Sequence, residues 1–240
     1  MDKTQNNNNI YKNSNSLFSM EWNELTKEVV IIFLASLILG ISTSKFFAFS
    51  STKNYPELYL LVLFFFVLIM FNILVKKFIA YSLDADIQTK FWSWYQTGFA
   101  RKSHFRRPVP MLWVPLLLAF ISRGMLYWLA ILEFEIKPRV ERVARRQGLY
   151  RFSEMTDWDI AVITAAGVFV NLILSVLGYI GASWVPPLAL FGKLNLYYAF
   201  WSLVPLSGLD GTKIFFGSRK LWFMLFVTTA AVLIYSLMIL

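Results

Sequence analysis

Few residues in this chain could do chemistry, and most of them fall in two short stretches. The first is Phe71 to Ala80, FNILVKKFIA, where a strongly apolar run meets two adjacent lysines, Lys76 and Lys77, and then becomes apolar again. Asn72 and Lys76 are four residues apart, so a helix places them one turn from each other on one face. The second is Ser202 to Gly211, SLVPLSGLDG, which ends an apolar segment in Asp210. Charges at the buried ends of apolar helices need partners or a route to water, since an unpaired buried charge is costly.

Other reactive groups are scarce. The chain has no cysteine, which removes disulfides and thiolate chemistry, and its single histidine, His104, limits metal binding. No serine has a credible histidine base, and Gly208-Leu209-Asp210-Gly211 supplies one aspartate where a two-aspartate protease needs a pair. Asp210 with Asp84, Asp86 or His104 could supply an unusual ligand set, though loop carboxylates suit Mg²⁺ or Ca²⁺ better than hydrolytic zinc.

Both stretches resemble motifs of the site-2 protease-like membrane metallopeptidases, family M50. Leu74, Lys77, Phe78 and Ala80 fit that family's zinc helix, HE-L-x-HK-F-x-A, while Asn72, Ile73 and Lys76 stand where it has His, Glu and His. Pro205, Leu209, Asp210 and Gly211 fit its Asn-x-x-Pro-x-x-x-Leu-Asp-Gly, with Ser202 for the asparagine, and there the aspartate is the third zinc ligand. Ala166-Gly167-Val168-Phe169-Val170-Asn171 is similar to its Ala-Gly-Pro-x-x-Asn, and Arg123 to Tyr127 to its Pro-Gly-Ala-Val-Tyr. Ala85-Asp86-Ile87 resembles an Ala-Glu-Phe segment of some members. The resemblance covers roughly Leu58 to Trp222, with motifs in the family's order.

What it implies is a scaffold without its chemistry. In an active member two imidazoles at i and i+4 hold Zn²⁺ and the intervening glutamate is the general base. Here Asn72 is a poor ligand, Ile73 takes no proton, and Lys76 carries charge where the metal's would sit. No catalytic residue, metal or cofactor is expected; Asn72, Lys76, Asp210, Asn171 and Ser202 mark the former metal site and groove. If the frame holds, Lys76 and Asp210 converge and pair, with Asn72 donating to the other carboxylate oxygen.

The elements that position these residues must lie in a membrane. The chain is 58% hydrophobic and 15% charged, against about a quarter charged in soluble domains. The expected fold is an all-α polytopic membrane protein with about five transmembrane helices, a re-entrant hairpin and an amphipathic cytoplasmic helix. Residues 1–20 form a disordered polar tail and 21–240 one membrane domain. The spans run from about Val29 to Phe49, Leu58 to Val75, Asp159 to Ser183, Leu188 to Leu206 and Leu221 to Leu240.

Residues 109–134 carry Arg123-Gly124 near their middle. A single span there would bury Arg123 and export the next basic loop, so a hairpin turning at Arg123-Gly124 is expected. Residues 76–107 are read as a cytoplasmic loop and 137–158 as a surface helix, with Lys90, Arg101, Lys102, Arg106, Arg107, Arg139, Arg142, Arg145 and Arg146 facing anionic headgroups. Aromatics between those cations would also suit single-stranded nucleic acid, but the membrane accounts for them and no nucleic acid is expected.

The resulting expectation is an integral protein of the cell membrane, with cytoplasmic N-terminus and external C-terminus, that binds a membrane helix or partner subunit without cleaving it. An active metallopeptidase with non-standard ligands and a structural subunit of a larger membrane enzyme complex are the alternatives.

Overall fold

The computed structural model describes residues 25–44, 57–96, 104–139 and 155–239. Among the described residues four helices are long and apolar enough to cross a membrane: α1 (Leu25–Thr43), α2 (Leu58–Ser82), α4 (Asp157–Gly181) and α7 (Arg219–Ile239). Between α2 and α4 lie β1 (Ala85–Phe91), β2 (Ser93–Gln96), β3 (His104–Pro110), a 3₁₀ turn (Met111–Trp113), α3 (Val114–Ile121) and β4 (Leu132–Pro138). Two shorter helices, α5 (Leu188–Ser202) and α6 (Asp210–Gly217), separate α4 from α7.

Local chemistry sets these elements. α2 runs 25 residues without glycine or proline, so nothing interrupts its backbone ladder. α4 starts in a capping box: Asp159 N–H donates to Thr156 Oγ1 at 3.1 Å, and the Asp159 carboxylate accepts from Thr156 N–H. Small residues let helices close on one another. A Cβ on Gly40 would stand 2.6 Å from a Val62 methyl, joining the end of α1 to the start of α2, and one on Gly178 would stand 2.7 Å from Gly192, joining the end of α4 to the start of α5. α5 therefore returns antiparallel along α4. An ion pair between Lys77 and Glu28 ties the other end of α2 to α1.

The strands make two antiparallel pairs. β1 pairs with β4 from Ala85↔Pro138 to Phe91↔Leu132, and β2 pairs with β3. β1 packs on α2, burying Ala85, Ile87 and Thr89 while Asp86 and Lys90 face outward. Trp92 stacks on Trp128, and Trp128 meets Trp201 of α5 at a tilt of 44°, with ring centroids 5.8 and 4.6 Å apart.

Several expectations change. The predicted loop 76–107 is helix to Ser82 and then, in its described parts, carries β1, β2 and β3, because Lys76 is buried inside α2 and Trp92 packs in the core, with Phe91 and Trp94 against it, instead of at headgroups. Arg123 and Gly124 both take positive φ (53° and 74°) in a turn that joins helix α3 to an extended segment leading into β4, so the two arms of the expected hairpin are unlike. Gly124 suits that backbone; Arg123 adopts it with its N–H bonded to the Phe120 carbonyl. The span placed at Leu188 to Leu206 is a 15-residue helix, about 22 Å long against a ~30 Å hydrocarbon core.

The surface helix expected over 137–158 falls largely outside the described residues, and its edges differ, since Lys137 and Pro138 end β4 and Asp157 starts α4. The polar tail 1–20, Arg101, Lys102, Arg142, Arg145 and Arg146 also lie outside the described residues, and Arg106 and Arg107 stand on β3. Lys90 and Arg139, expected at lipid headgroups, meet protein carboxylates: Lys90 pairs with Glu135, and Arg139 Nε lies 2.7 Å from Asp86 Oδ1 with its guanidinium over the Tyr81 ring.

Candidate functional site

The two chemical stretches meet. Lys76 Nζ lies 2.5 Å from Asp210 Oδ2, with the lysine side chain fully buried and the aspartate side chain 5% exposed. Lys76 sits on α2 six residues before its end, and Asp210 is the first residue of α6, where a carboxylate also opposes the positive end of the helix dipole. The Lys76 ammonium lies 3.5 Å from the centre of the Phe134 ring, so β4 supplies its third wall.

Glycines make this approach possible. A Cβ on Gly167 of α4 would fall 2.2 Å from Lys76 Cε and 2.9 Å from Asn72 Nδ2, so the lysine passes through space that only glycine leaves open. A Cβ on Gly211 would fall 2.3 Å from the Leu203 carbonyl oxygen. That contact seats the start of α6 on the turn after α5 and aims Asp210 inward. Trp222 Nε1–H of α7 donates to the same carbonyl at 2.9 Å.

Asn72 departs from its expected partner. Its Nδ2 donates to the Gly167 carbonyl at 2.9 Å, and Asp210 Oδ1 accepts no hydrogen bond among the described residues. The helix contact at Gly167 brings that carbonyl to Asn72 before the amide can reach across to α6. Asn171, one turn beyond Gly167, is fully buried with both amide atoms lacking a partner among the described residues, and Ser202 is buried at the end of α5. Neither bonds to the ion pair. Ile73 packs in the apolar core.

The donor set does not fit a metal. The site presents an amide already committed to a backbone carbonyl, an isoleucine, and a carboxylate held by an ammonium. Among the described residues no three His, Cys, Asp or Glu side chains converge. Asp86, the alternative ligand, is engaged by Arg139.

Sequence reasoning missed Phe134, Glu133 and Lys213. Lys213 Nζ donates to the Phe134 carbonyl, and burial pushes its ammonium below the usual lysine range, opposed by Asp210, Glu133 and Glu135. Together with Lys90 and Ile160 these residues line a cleft of about 500 Å³ beside the buried pair. The strict alternation of Leu132-Glu133-Phe134-Glu135-Ile136-Lys137 was the available signal for a strand presenting Phe134 inward. Comparison with protein-family models, with curated proteins and with solved structures finds no match.

Proposed function

We propose that the protein is a membrane-embedded, non-cleaving relative of the site-2 proteases, which holds a transmembrane helix or partner subunit instead of hydrolysing it. The observation that carries this reading is the 2.5 Å contact of Lys76 with Asp210. In the active frame the corresponding positions converge on one zinc ion, and here an ammonium takes up the carboxylate that would have served the metal. With Ile73 at the base position, the helix that carries Lys76 offers no group there to take a proton from water. The arrangement supports binding and rigidity.

In this reading the protein resides in the cell membrane with its N-terminus cytoplasmic and its C-terminus external. The segment 109–134 enters the membrane and turns back at Arg123-Gly124. α5, continued through Leu203 to Leu209, makes the fifth crossing, which returns Asp210 to the side of Lys76. The basic segments 101–107, 137–151 and 213–220 then share the cytoplasmic side, as the distribution of Lys and Arg favours.

The deciding experiment purifies the protein from its native membrane in mild detergent, measures bound metal and follows the length of what co-purifies and of added helical peptides. The expected result is no stoichiometric zinc, an intact co-purifying membrane segment and uncut peptides. One tightly held zinc per chain together with cleavage overturns the proposal. Single cysteines at Arg142 and Trp184 test the topology: impermeant reagent should label only position 184 in intact cells, and labelling at 142 removes the re-entrant hairpin.

A further inference from the structure

Residues 160–209 contain one charged side chain, Lys193. It lies on α5 next to Gly192, which packs against Gly178 near the end of α4. The Lys76 pair touches α4 at Gly167, eleven residues earlier, so the two lysines are separated by roughly 16 Å along that helix. Lys193 therefore belongs to the opposite end of the bundle from the buried pair.

Around it the helix ends form a small groove of about 220 Å³. Leu61 from the first turn of α2, Leu129 from the segment returning to β4, and Leu190 and Leu194 from α5 make apolar walls, with Tyr127 and Tyr197 beside them. The Lys193 ammonium is exposed and stands 5.9 Å from the Tyr197 ring centre. Among the described residues no carboxylate lies within ion-pair distance of it. The groove thus couples a cation without an anionic partner to a surface that water does not suit.

The level within the bundle identifies what would satisfy both halves. Lys193 is five residues into α5, Leu61 three into α2, and Thr43, also on the groove, is the last residue of α1. All lie within about one and a half turns of their helix ends, roughly 8 Å, which is the depth where phospholipid phosphates give way to acyl chains. A lysine stem lies along apolar surface while its ammonium meets phosphate at that depth.

We propose that this groove is a binding site for one anionic phospholipid, with its phosphate on Lys193 and an acyl chain against Leu61, Leu129, Leu190 and Leu194. The proposal rests on the protein lying in a membrane and is independent of the non-cleaving role, so failure of either leaves the other standing. A neutral zwitterionic lipid carries its own cation and gains less from Lys193, which makes the site selective for a net negative headgroup.

The test is thermal unfolding of the delipidated full-length protein in detergent with added phosphatidylglycerol, phosphatidylcholine or inorganic phosphate. Phosphatidylglycerol at saturation should raise Tm by about 5 °C, with a clearly smaller effect of phosphatidylcholine and none of phosphate. Lys193→Gln should lose the phosphatidylglycerol-specific part while Lys193→Arg keeps it, since a guanidinium also binds phosphate. Leu190→Trp, which fills the groove and leaves the lysine, should weaken the response as well. Equal shifts with phosphatidylcholine, a full shift with inorganic phosphate alone, or a wild-type response in Lys193→Gln each overturn the proposal. If Lys193→Gln fails to fold, the Leu190→Trp response decides: a wild-type shift sinks the site and a reduced one supports it.

Discussion

Two lysine–carboxylate pairs in this protein share chemistry and differ in burial. Lys76 and Asp210 are 0% and 5% exposed, whereas Lys90 and Glu135, diagonal neighbours across β1 and β4, are 54% and 40% exposed. The first pair has no water to fall back on, so each member is held in place by the cost of leaving the other unpaired. The second can exchange its partner for solvent at almost no cost. Burial, more than contact distance, decides which pair the fold depends on.

The largest expected effect tests that difference directly. Asp210→Asn leaves a fully buried ammonium facing a neutral amide, and should destabilise by about 3–5 kcal/mol in thermal or denaturant unfolding in detergent. The double variant Lys76→Met, Asp210→Leu should recover most of the loss, because a buried pair replaced by apolar groups of similar size is often neutral. If Asp210→Asn unfolds like the wild type, the buried pair is no stronger than the exposed one and the contrast fails.

Gly167→Ala sharpens the same point through packing. Its methyl would stand 2.2 Å from Lys76 Cε, and a pinned buried side chain cannot move aside freely, so a loss of about 1–3 kcal/mol is expected. In a Lys76→Ala background the nearest obstacle is gone and only the Asn72 amide, 2.9 Å away, remains, so the cost should shrink, with alanine's better helix propensity offsetting about 1 kcal/mol of it. A cost that stays the same in both backgrounds would show that the strain arises elsewhere.

The exposed pair should respond weakly. Lys90→Gln is expected to cost no more than about 1 kcal/mol, and less as salt is raised. The Lys90 ammonium, with Lys137, holds the Glu135 carboxyl below its usual range. A depressed carboxyl stabilises above its unfolded value and loses that contribution as pH falls through the folded one. As pH falls below about 4.5 the difference between Lys90→Gln and wild type, measured as Tm against pH, should therefore shrink, and it vanishes once Glu135 is protonated in the folded state. A difference that persists at pH 2 to 3 would assign Lys90 some other partner.

The central pair was expected because both stretches resemble site-2 protease motifs whose positions converge on one ion; spacing alone gave only that Asn72 and Lys76 share a helix face. Asn72 was misplaced, since the sequence gives no measure of how closely α4 approaches α2 at Gly167. The strands were harder to see. Ala85 to Phe91 ends in a cation beside an aromatic, Lys90-Phe91, which a membrane interface also uses, and its burial alternates only because α2 lies beneath it. Leu132 to Lys137 does alternate cleanly, but its place after an apolar run disguised it as the end of a hairpin arm. Helix α5 was drawn too long because hydropathy continues past Ser202, where backbone geometry ends the helix.

The Lys76–Asp210 contact also constrains how this sequence can drift. Any single change of charge at either position passes through a state with one buried, unanswered ion, while a paired change avoids it. The two sites, 134 residues apart in the chain, are thus one heritable unit: related sequences should carry both charges or neither, and a route from this arrangement to a metal-binding one must cross an unstable intermediate or change both positions together.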